Sequence, residues 1–159
     1  MTKKIKYAKV DFMPILIEVH KQFASVMYRR LVTKVGNLMA SLKKRAEASG
    51  TEFNVTSTEL RELIYKNYGK KCKYCGEILK INKTNPMTCD HIIPLSKGGN
   101  STINNLQITC ARCNRRKGSL SEENFLTILT WVNKQNDEIR RYLLKQMANG
   151  DMHRGKYHA

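Results

Sequence analysis

The chain has 159 residues and a formal net charge of +16, with 29 lysines and arginines against 13 acidic residues. A basic excess of this size favours a polyanionic partner, nucleic acid first, over a merely soluble basic protein. An anionic membrane surface is a third alternative. However, the longest apolar run, residues 12–17, is far too short to cross a bilayer, so we expect no membrane insertion.

The positive charge is concentrated in the first two thirds of the chain. Residues 1–50 carry eleven lysines and arginines against three acidic residues, residues 51–120 carry twelve against five, and residues 121–159 carry six against five. The sequence thus divides into a basic N-terminal arm with an amphipathic helix (1–50), a central part (51–120) and a C-terminal helical segment with a tail (121–159). The nearly neutral last part is not expected to lead nucleic-acid binding.

The cysteines predict a metal site. Four of the five form two Cys-x-x-Cys pairs, Cys72 with Cys75 and Cys110 with Cys113. No secretory leader is recognised, so we expect a cytoplasmic protein with reduced thiols, in which such pairs bind metal. A thioredoxin-like redox pair is the competing interpretation, but no βαβ pattern surrounds either pair. Four thiolates close a tetrahedron around zinc, which makes the zinc structural. Cys89 is expected to be a buried side chain and not a ligand.

Residues 14–49 predict an amphipathic helix. Pro14 suits its first turn, and Ser49 with Gly50 suits its end. Gly36 in the middle is a candidate site for a bend or a break. The basic face is either solvated or contacts a nucleic-acid backbone. The apolar stripe recurs at steps of three and four residues: Val19, Phe23, Val26, Met27, Leu31, Val35, Leu38, Met39, Leu42 and Ala46.

The central part begins with a short extended piece, residues 53–55, and a second helix. Thr56 and Glu59 have the spacing of a capping box, which predicts that this helix begins there. Gly69 is expected to end it.

The 34 residues between the cysteine pairs hold the most specific pattern in the chain. Residues 87–93 and 106–109 predict two strands separated by a glycine-rich loop, and residues 111–117 predict a helix. Asp90 and His91 are adjacent on the first strand, where an ideal pleat directs them to opposite faces. For both to serve one site, the strand must twist or bulge, or one of them must act through its neighbours. A buried, hydrogen-bonded histidine is the alternative for an isolated Asp-His pair.

The succession of DHIIPLSKGG, NLQ and CARCNRRK resembles the HNH, or ββα-metal, nuclease family. It is similar to the phage and prophage members that carry two Cys-x-x-Cys pairs. The close resemblance covers residues 71–118. It implies an α+β fold, in which a small zinc-stapled ββα-metal nuclease core is flanked by N- and C-terminal helices. It also implies a metal-dependent endonuclease that hydrolyses phosphodiester bonds of DNA, double-stranded by expectation, in the host cytosol if the chain is phage-encoded.

The resemblance assigns a role to each motif position. His91 corresponds to the general base, Asp90 to a metal ligand, and Asn105 to the asparagine that holds the loop and orients the histidine. The last position is Asn114, where many members have histidine, so this chain matches the H-N-N variant in which asparagine completes the metal site. Oxygen ligands from Asp90 and Asn114 favour a hard divalent cation, Mg²⁺ or Mn²⁺.

Cations around the start of the last motif helix are expected to contact phosphates, helped by the helix dipole. For any single one of them, solvated surface is the alternative. The candidates are Arg112, Arg115, Arg116 and Lys117, together with Lys97 in the glycine-rich loop.

The C-terminal segment predicts either one long helix or two helices with a hinge in residues 133–137. Trp131 lies off its apolar stripe and is expected to cover the zinc module or another helix. The segment either packs on the N-terminal helix or forms a dimer, so monomer and homodimer both stay open. A different class of function, a zinc-containing nucleic-acid-binding protein without catalysis, explains the charge and the cysteines. It gives no reason for Asp90, His91 and Asn114 to occur together.

Overall fold

A computed structural model describes residues 13–81 and 84–149, with side chains from residue 21 onward. The predicted N-terminal arm and C-terminal tail lie almost entirely outside these residues. The fold is α+β, as expected. Its elements are α1 (Met13–Ser49), β1 (Phe53–Asn54), α2 (Ser57–Asn67), β2 (Met87–His91), β3 (Ser101–Thr102), β4 (Leu106–Cys110), α3 (Ala111–Lys117), α4 (Glu122–Asn133) and α5 (Asp137–Asn149).

The long helix α1 is continuous through Gly36, so the break considered from the sequence is absent. One glycine costs a helix only about 1 kcal/mol relative to alanine, and the buried neighbours Val35 and Leu38 anchor the helix on both sides of it. The predicted apolar stripe is buried only from Val35 onward. Phe23, nearer the N-terminus, is 65% exposed, and the described side chains of α1 that are buried all lie in its C-terminal half.

The second helix begins as its sequence predicts. Thr56 Oγ1 accepts a hydrogen bond from Glu59 N at 3.2 Å, and Glu59 Oε2 accepts one from Thr56 N at 2.8 Å. This reciprocal pair satisfies two backbone donors that the first helical turn leaves free, and the backbone bond is the main cause of a lowered pKa of Glu59. Leu60 and Ile64 on the inner face of α2 are fully buried.

The ββα unit consists of β2, β4 and α3. Strands β2 and β4 pair antiparallel with Asp90 opposite Gln107 and His91 opposite Leu106. The register is continuous across Asp90 and His91, so no bulge brings the two side chains to one face. Helix α3 follows β4 directly and packs against β2.

A second, two-residue sheet ties the glycine-rich loop to the segment after α1. Strands β1 and β3 pair in parallel with Phe53 opposite Ser101, and Ser101 N donates to Glu52 O at 2.8 Å. The loop between the motif strands therefore depends on a segment 48 residues earlier in the chain for its position.

One apolar core joins the ββα unit to the helices around it. Each fully buried aliphatic side chain contributes about 1.5–3 kcal/mol. The largest apolar members are Leu42, Leu60, Ile64, Leu79, Met87, Phe125 and Met147.

The C-terminal segment forms two helices, with the break inside the predicted hinge. Trp131 is 55% exposed, so the expectation that it covers the zinc module or another helix is wrong. The inner face of α4 is already filled by Phe125, Leu129 and Val132. Among the described residues, no helix combines the length and apolar character needed to span a membrane.

Candidate metal centre and nuclease site

The two cysteine pairs meet in one cluster. The sulfur atoms of Cys72, Cys75, Cys110 and Cys113 all lie within 4.8 Å of one another. Cys110 caps the N-terminus of α3, where its Sγ accepts from Cys113 N at 3.5 Å. Gly76 follows the first pair with φ +74°, a left-handed conformation that glycine adopts without strain. The four cysteines are thus positioned to bind one metal ion, and a four-thiolate set suits structural zinc.

The electrostatics of the cluster also favour a bound cation. Hydrogen bonds from Cys110 and Cys113 lower the pKa of the Cys72 thiol, while hydrogen bonding with Cys110 and Cys72 raises the pKa of Cys113. Several thiolates at this separation repel one another, so the ionisation of one thiol makes the ionisation of its neighbours less favourable. A divalent cation removes this conflict because all four sulfurs can then ionise.

Cys89 stands apart from this cluster, as predicted. Its side chain is fully buried, and burial raises the pKa of the thiol to about 12. It therefore behaves as a small core residue.

Asp90 is buried, and each of its carboxylate oxygens has a partner. Lys117 Nζ lies 3.2 Å from Oδ1, and Gln107 Nε2 donates to Oδ2 at 3.0 Å. Burial raises the pKa of Asp90, and the charge of Lys117 opposes that shift. The Lys117 side chain has no exposed surface. It therefore cannot contact a nucleic acid, contrary to the expectation from the sequence. Its ammonium group is held in the interior by the buried Asp90 carboxylate.

A chain of hydrogen bonds connects Asp90 with the first cysteine pair. Gln107 Nε2 also donates to Tyr74 OH at 2.7 Å, and Lys73 Nζ donates to Gln107 Oε1 at 3.1 Å. Both Lys73 and Tyr74 donate to Glu122 Oε1, at 2.6 and 3.0 Å. Since Lys73 and Tyr74 are the two spacer residues of the first cysteine pair, the metal-binding turn and Asp90 belong to one polar network.

His91 lies in separate surroundings, as the pleat predicts. Its Nε2 is 2.8 Å from Ser101 Oγ, and both residues are buried. Burial lowers the pKa of His91 to about 4, and the positive charges of Arg45 and Lys117 act in the same direction. The imidazole is therefore neutral near pH 7 and can accept a proton.

Asn105 closes the glycine-rich loop. Its Oδ1 accepts from Ile93 N at 2.8 Å, and its Nδ2 donates to Ile93 O at 2.9 Å and to Asn100 O at 2.8 Å. Its backbone oxygen accepts from Ile92 N at 2.9 Å, next to His91 in sequence. A Cβ atom at Gly99 would lie 2.0 Å from Ile93 O, so this close loop closure requires glycine there.

Helix α3 contacts the backbone on both sides of Asp90. Asn114 Nδ2 lies 3.5 Å from Cys89 O, and Lys117 Nζ lies 2.7 Å from His91 O. These two side chains are three residues apart and so share one face of the helix. With its amide nitrogen directed at β2, Asn114 has Oδ1 as the oxygen that can bind a cation.

The remaining predicted cations have different surroundings. Arg112 forms an ion pair with Glu77, and Arg116 Nε donates to Leu144 O at 3.2 Å on α5. Arg115 is exposed on α3, and Lys97 is exposed in the loop.

The sequence did not predict the contact of Ser101 with His91. It also did not predict the hydrogen bonds of Gln107, Lys73 and Tyr74, which were noted only as parts of motifs. The contact of Gln107 with Asp90 could have been predicted, because an antiparallel hairpin of the two strands places these residues opposite each other. The contact of Ser101 with His91 could not have been predicted, because it depends on the parallel pairing of β3 with β1.

Comparison with known proteins gives one family. Residues 72–120 match the family model for the HNH endonuclease, and they include all four clustered cysteines, Asp90, His91 and Asn114. No curated protein matches the chain significantly. Over residues 72–120 the chain therefore matches the HNH endonuclease domain, and within this range four cysteines are positioned to bind a metal ion.

Proposed function

We propose that the chain is a metal-dependent HNH endonuclease that hydrolyses phosphodiester bonds of DNA, with His91 as the general base. The observation that supports this most directly is the contact of α3 with the backbone on both sides of Asp90, through Asn114 and Lys117. This contact brings Asn114, the last motif position, and Lys117 against the strand that carries the Asp-His pair.

Hydrolysis requires an attacking water, a base that takes its proton, and positive charge at the phosphate. The lowered pKa of His91 keeps its ring neutral at pH 7, which is the form that can take a proton from water. Ser101 fixes Nε2. When Ser101 Oγ accepts from Nε2–H, the lone pair on Nδ1 is the one that takes the proton from water.

The donor set at Asp90 fits a hard divalent cation, Mg²⁺ or Mn²⁺ in our proposal. Asp90 supplies a carboxylate and Asn114 an amide oxygen, the ligand types that such ions prefer. Each Asp90 oxygen accepts one hydrogen bond in this structure, while a carboxylate has about four lone-pair sites in all. When bound, the ion supplies charge that stabilises the phosphoryl and leaving oxygens.

Phosphate contacts in our proposal come from Arg112, Arg115, Arg116 and Lys97. Lys117 is left out because it is buried against Asp90. It acts on Asp90 and not on the nucleic acid.

The burial of Asp90 and His91, each 4% exposed, favours a second candidate. In that alternative the Asp90–Lys117 and His91–Ser101 pairs are structural, and the chain is a zinc-containing nucleic-acid-binding protein without catalysis. The two candidates predict different outcomes for the same substrate.

A nicking assay on supercoiled plasmid separates them. The purified chain is stripped with EDTA, reloaded with zinc alone, and then given Mg²⁺ or Mn²⁺. The nuclease predicts nicking that appears only after the second addition. Plasmid retardation on a gel without nicking, under every ion condition, would support the binding protein and contradict the nuclease.

A further inference from the structure

A basic cleft lies between α3 and α5. Its volume is about 350 Å³, and it is lined by residues of both helices and of the segment before β2. Leu144 and Ala148 form its apolar part. Among the described residues that line it, none is acidic and five are cationic: Arg112, Arg115, Arg116, Arg141 and Lys145.

Two of these cations come from the segment whose net charge is nearly zero. Arg141 and Lys145 are four residues apart on α5, which places them on one face of the helix, and both are exposed. The acidic residues Asp137 and Glu138 lie at the other end of α5. Asp137 is about 12 Å along the axis from Lys145 at 1.5 Å per residue. This distance exceeds the screening length of about 8–10 Å at physiological salt. Asp137 is only one turn from Arg141, but it pairs with Arg140, and Glu77 pairs with Arg112, so cations still outnumber acidic groups around the cleft.

The cleft is held in shape by contacts between its walls. Arg116 Nε donates to Leu144 O at 3.2 Å, which joins α3 to α5. Arg112 N donates to Asn85 Oδ1 at 2.9 Å, which fixes the segment before β2 against α3. Within the described part of the chain, the Arg141 guanidinium donates from Nε to Asp137 O, and its two terminal nitrogens can contact an anion.

We infer that the α3–α5 cleft binds backbone phosphates of duplex DNA beside the catalytic centre, through Arg115, Arg141 and Lys145. This inference rests on the proposed function for the identity of the polyanion. Arg115 directly follows Asn114 on α3 and is turned about 100° from it around the helix axis, so a duplex engaged by the cleft would lie beside the face of α3 that carries Asn114. Guanidinium groups suit phosphate because their paired N–H donors match its oxygens.

The test is the salt dependence of DNA binding by an Arg141→Gln/Lys145→Gln double variant. Affinity for a labelled duplex is measured by fluorescence anisotropy between 50 and 200 mM salt, without added Mg²⁺ or Mn²⁺. Each lost phosphate contact reduces the slope of log K against log salt by about 0.9. Two lost contacts therefore make the wild-type affinity fall about tenfold more than that of the variant over this range.

Lys134→Gln is the matched control, since Lys134 is exposed in the same C-terminal segment and does not line the cleft. It is expected to keep almost the whole wild-type slope. An Arg141→Lys/Lys145→Arg variant keeps both charges and is expected to keep the slope as well. Circular dichroism melts verify that all variants are folded.

A double variant with the slope and affinity of the Lys134→Gln control overturns the inference. The same result together with wild-type plasmid nicking would leave the nuclease proposal standing. A reduced slope in a chain that never nicks plasmid would instead support the cleft as a DNA site and contradict the nuclease. Wild-type protein that shows no binding to duplex DNA contradicts the inference directly.

Discussion

Lys117 Nζ lies 3.2 Å from Asp90 Oδ1, and neither side chain has appreciable exposed surface. The same ammonium group lies 2.7 Å from the His91 carbonyl oxygen. This buried ion pair places a positive charge from α3 against the central residue of the candidate site. It neutralises the carboxylate that we propose as a metal ligand.

The Lys117→Met variant is expected to lose about 3–5 kcal/mol of unfolding free energy, because removing one partner leaves a buried charge without compensation. Urea denaturation measures this loss. Lys97→Met is the control, since Lys97 is exposed and surface substitutions change stability by about 0.5 kcal/mol or less. Adding Asp90→Asn to Lys117→Met removes the unpaired charge and should recover part of the loss. A Lys117→Met loss no larger than that of the control would show that the pair is unimportant for stability.

Ser101→Ala is expected to remove the hydrogen bond that fixes His91 Nε2. The lost bond costs about 1 kcal/mol of stability, and kcat should fall while KM stays close to wild type, because Ser101 positions the base and contacts no substrate in our proposal. The ¹⁵N chemical shifts of the His91 ring report the tautomer directly. Ser96→Ala, in the same loop and exposed, is the control. An unchanged His91 spectrum in Ser101→Ala would contradict the positioning role.

Cys72→Ser is expected to lower the bound zinc well below one equivalent and to abolish cooperative unfolding. The reason is that a metal ion bound by the four sulfurs would link the first cysteine pair to the start of α3. Cys89→Ala is the matched control, because Cys89 lies outside the cluster. It should keep the full zinc content, with the usual cost of a smaller core side chain. Zinc is quantified with a chromophoric chelator after denaturation. Equal zinc content in the two variants would refute the four-cysteine site.

Thr109→Val is expected to stabilise the protein by about 1 kcal/mol. Thr109 Oγ1 is buried in β4 without a hydrogen-bond partner among the described residues, and an unsatisfied buried hydroxyl costs about 1–3 kcal/mol. Valine has nearly the same shape and suits a strand. A thermal or urea midpoint at or below that of wild type would show that the hydroxyl has a partner after all.

Local signals in the sequence predicted local structure well. The Thr56–Glu59 capping box, the strand that carries Asp90 and His91, and the helix after Cys110 all appear within one or two residues of their predicted bounds. Each rests on contacts between residues close in sequence, which spacing alone encodes. The clustering of the two cysteine pairs was also predicted from the sequence, because two Cys-x-x-Cys pairs in a small protein are typical of a metal site.

The sequence did not predict contacts between side chains that are distant from each other along the chain. Lys117 looked like one member of a basic run, and only the packing of α3 on β2 shows that it is buried against Asp90. Ser101 meets His91 through a parallel pairing with β1. Likewise, the stripe on α1 predicted one buried face, yet the fold provides a core for only half of it.

The most direct test of the central claim is the plasmid-nicking rate of His91→Ala beside wild type, with Mg²⁺ or Mn²⁺ present and zinc content and DNA affinity matched. We expect the rate to fall by about 10²–10⁴, the usual contribution of a general base, with DNA binding unchanged. Nicking by His91→Ala at the wild-type rate would contradict this expectation.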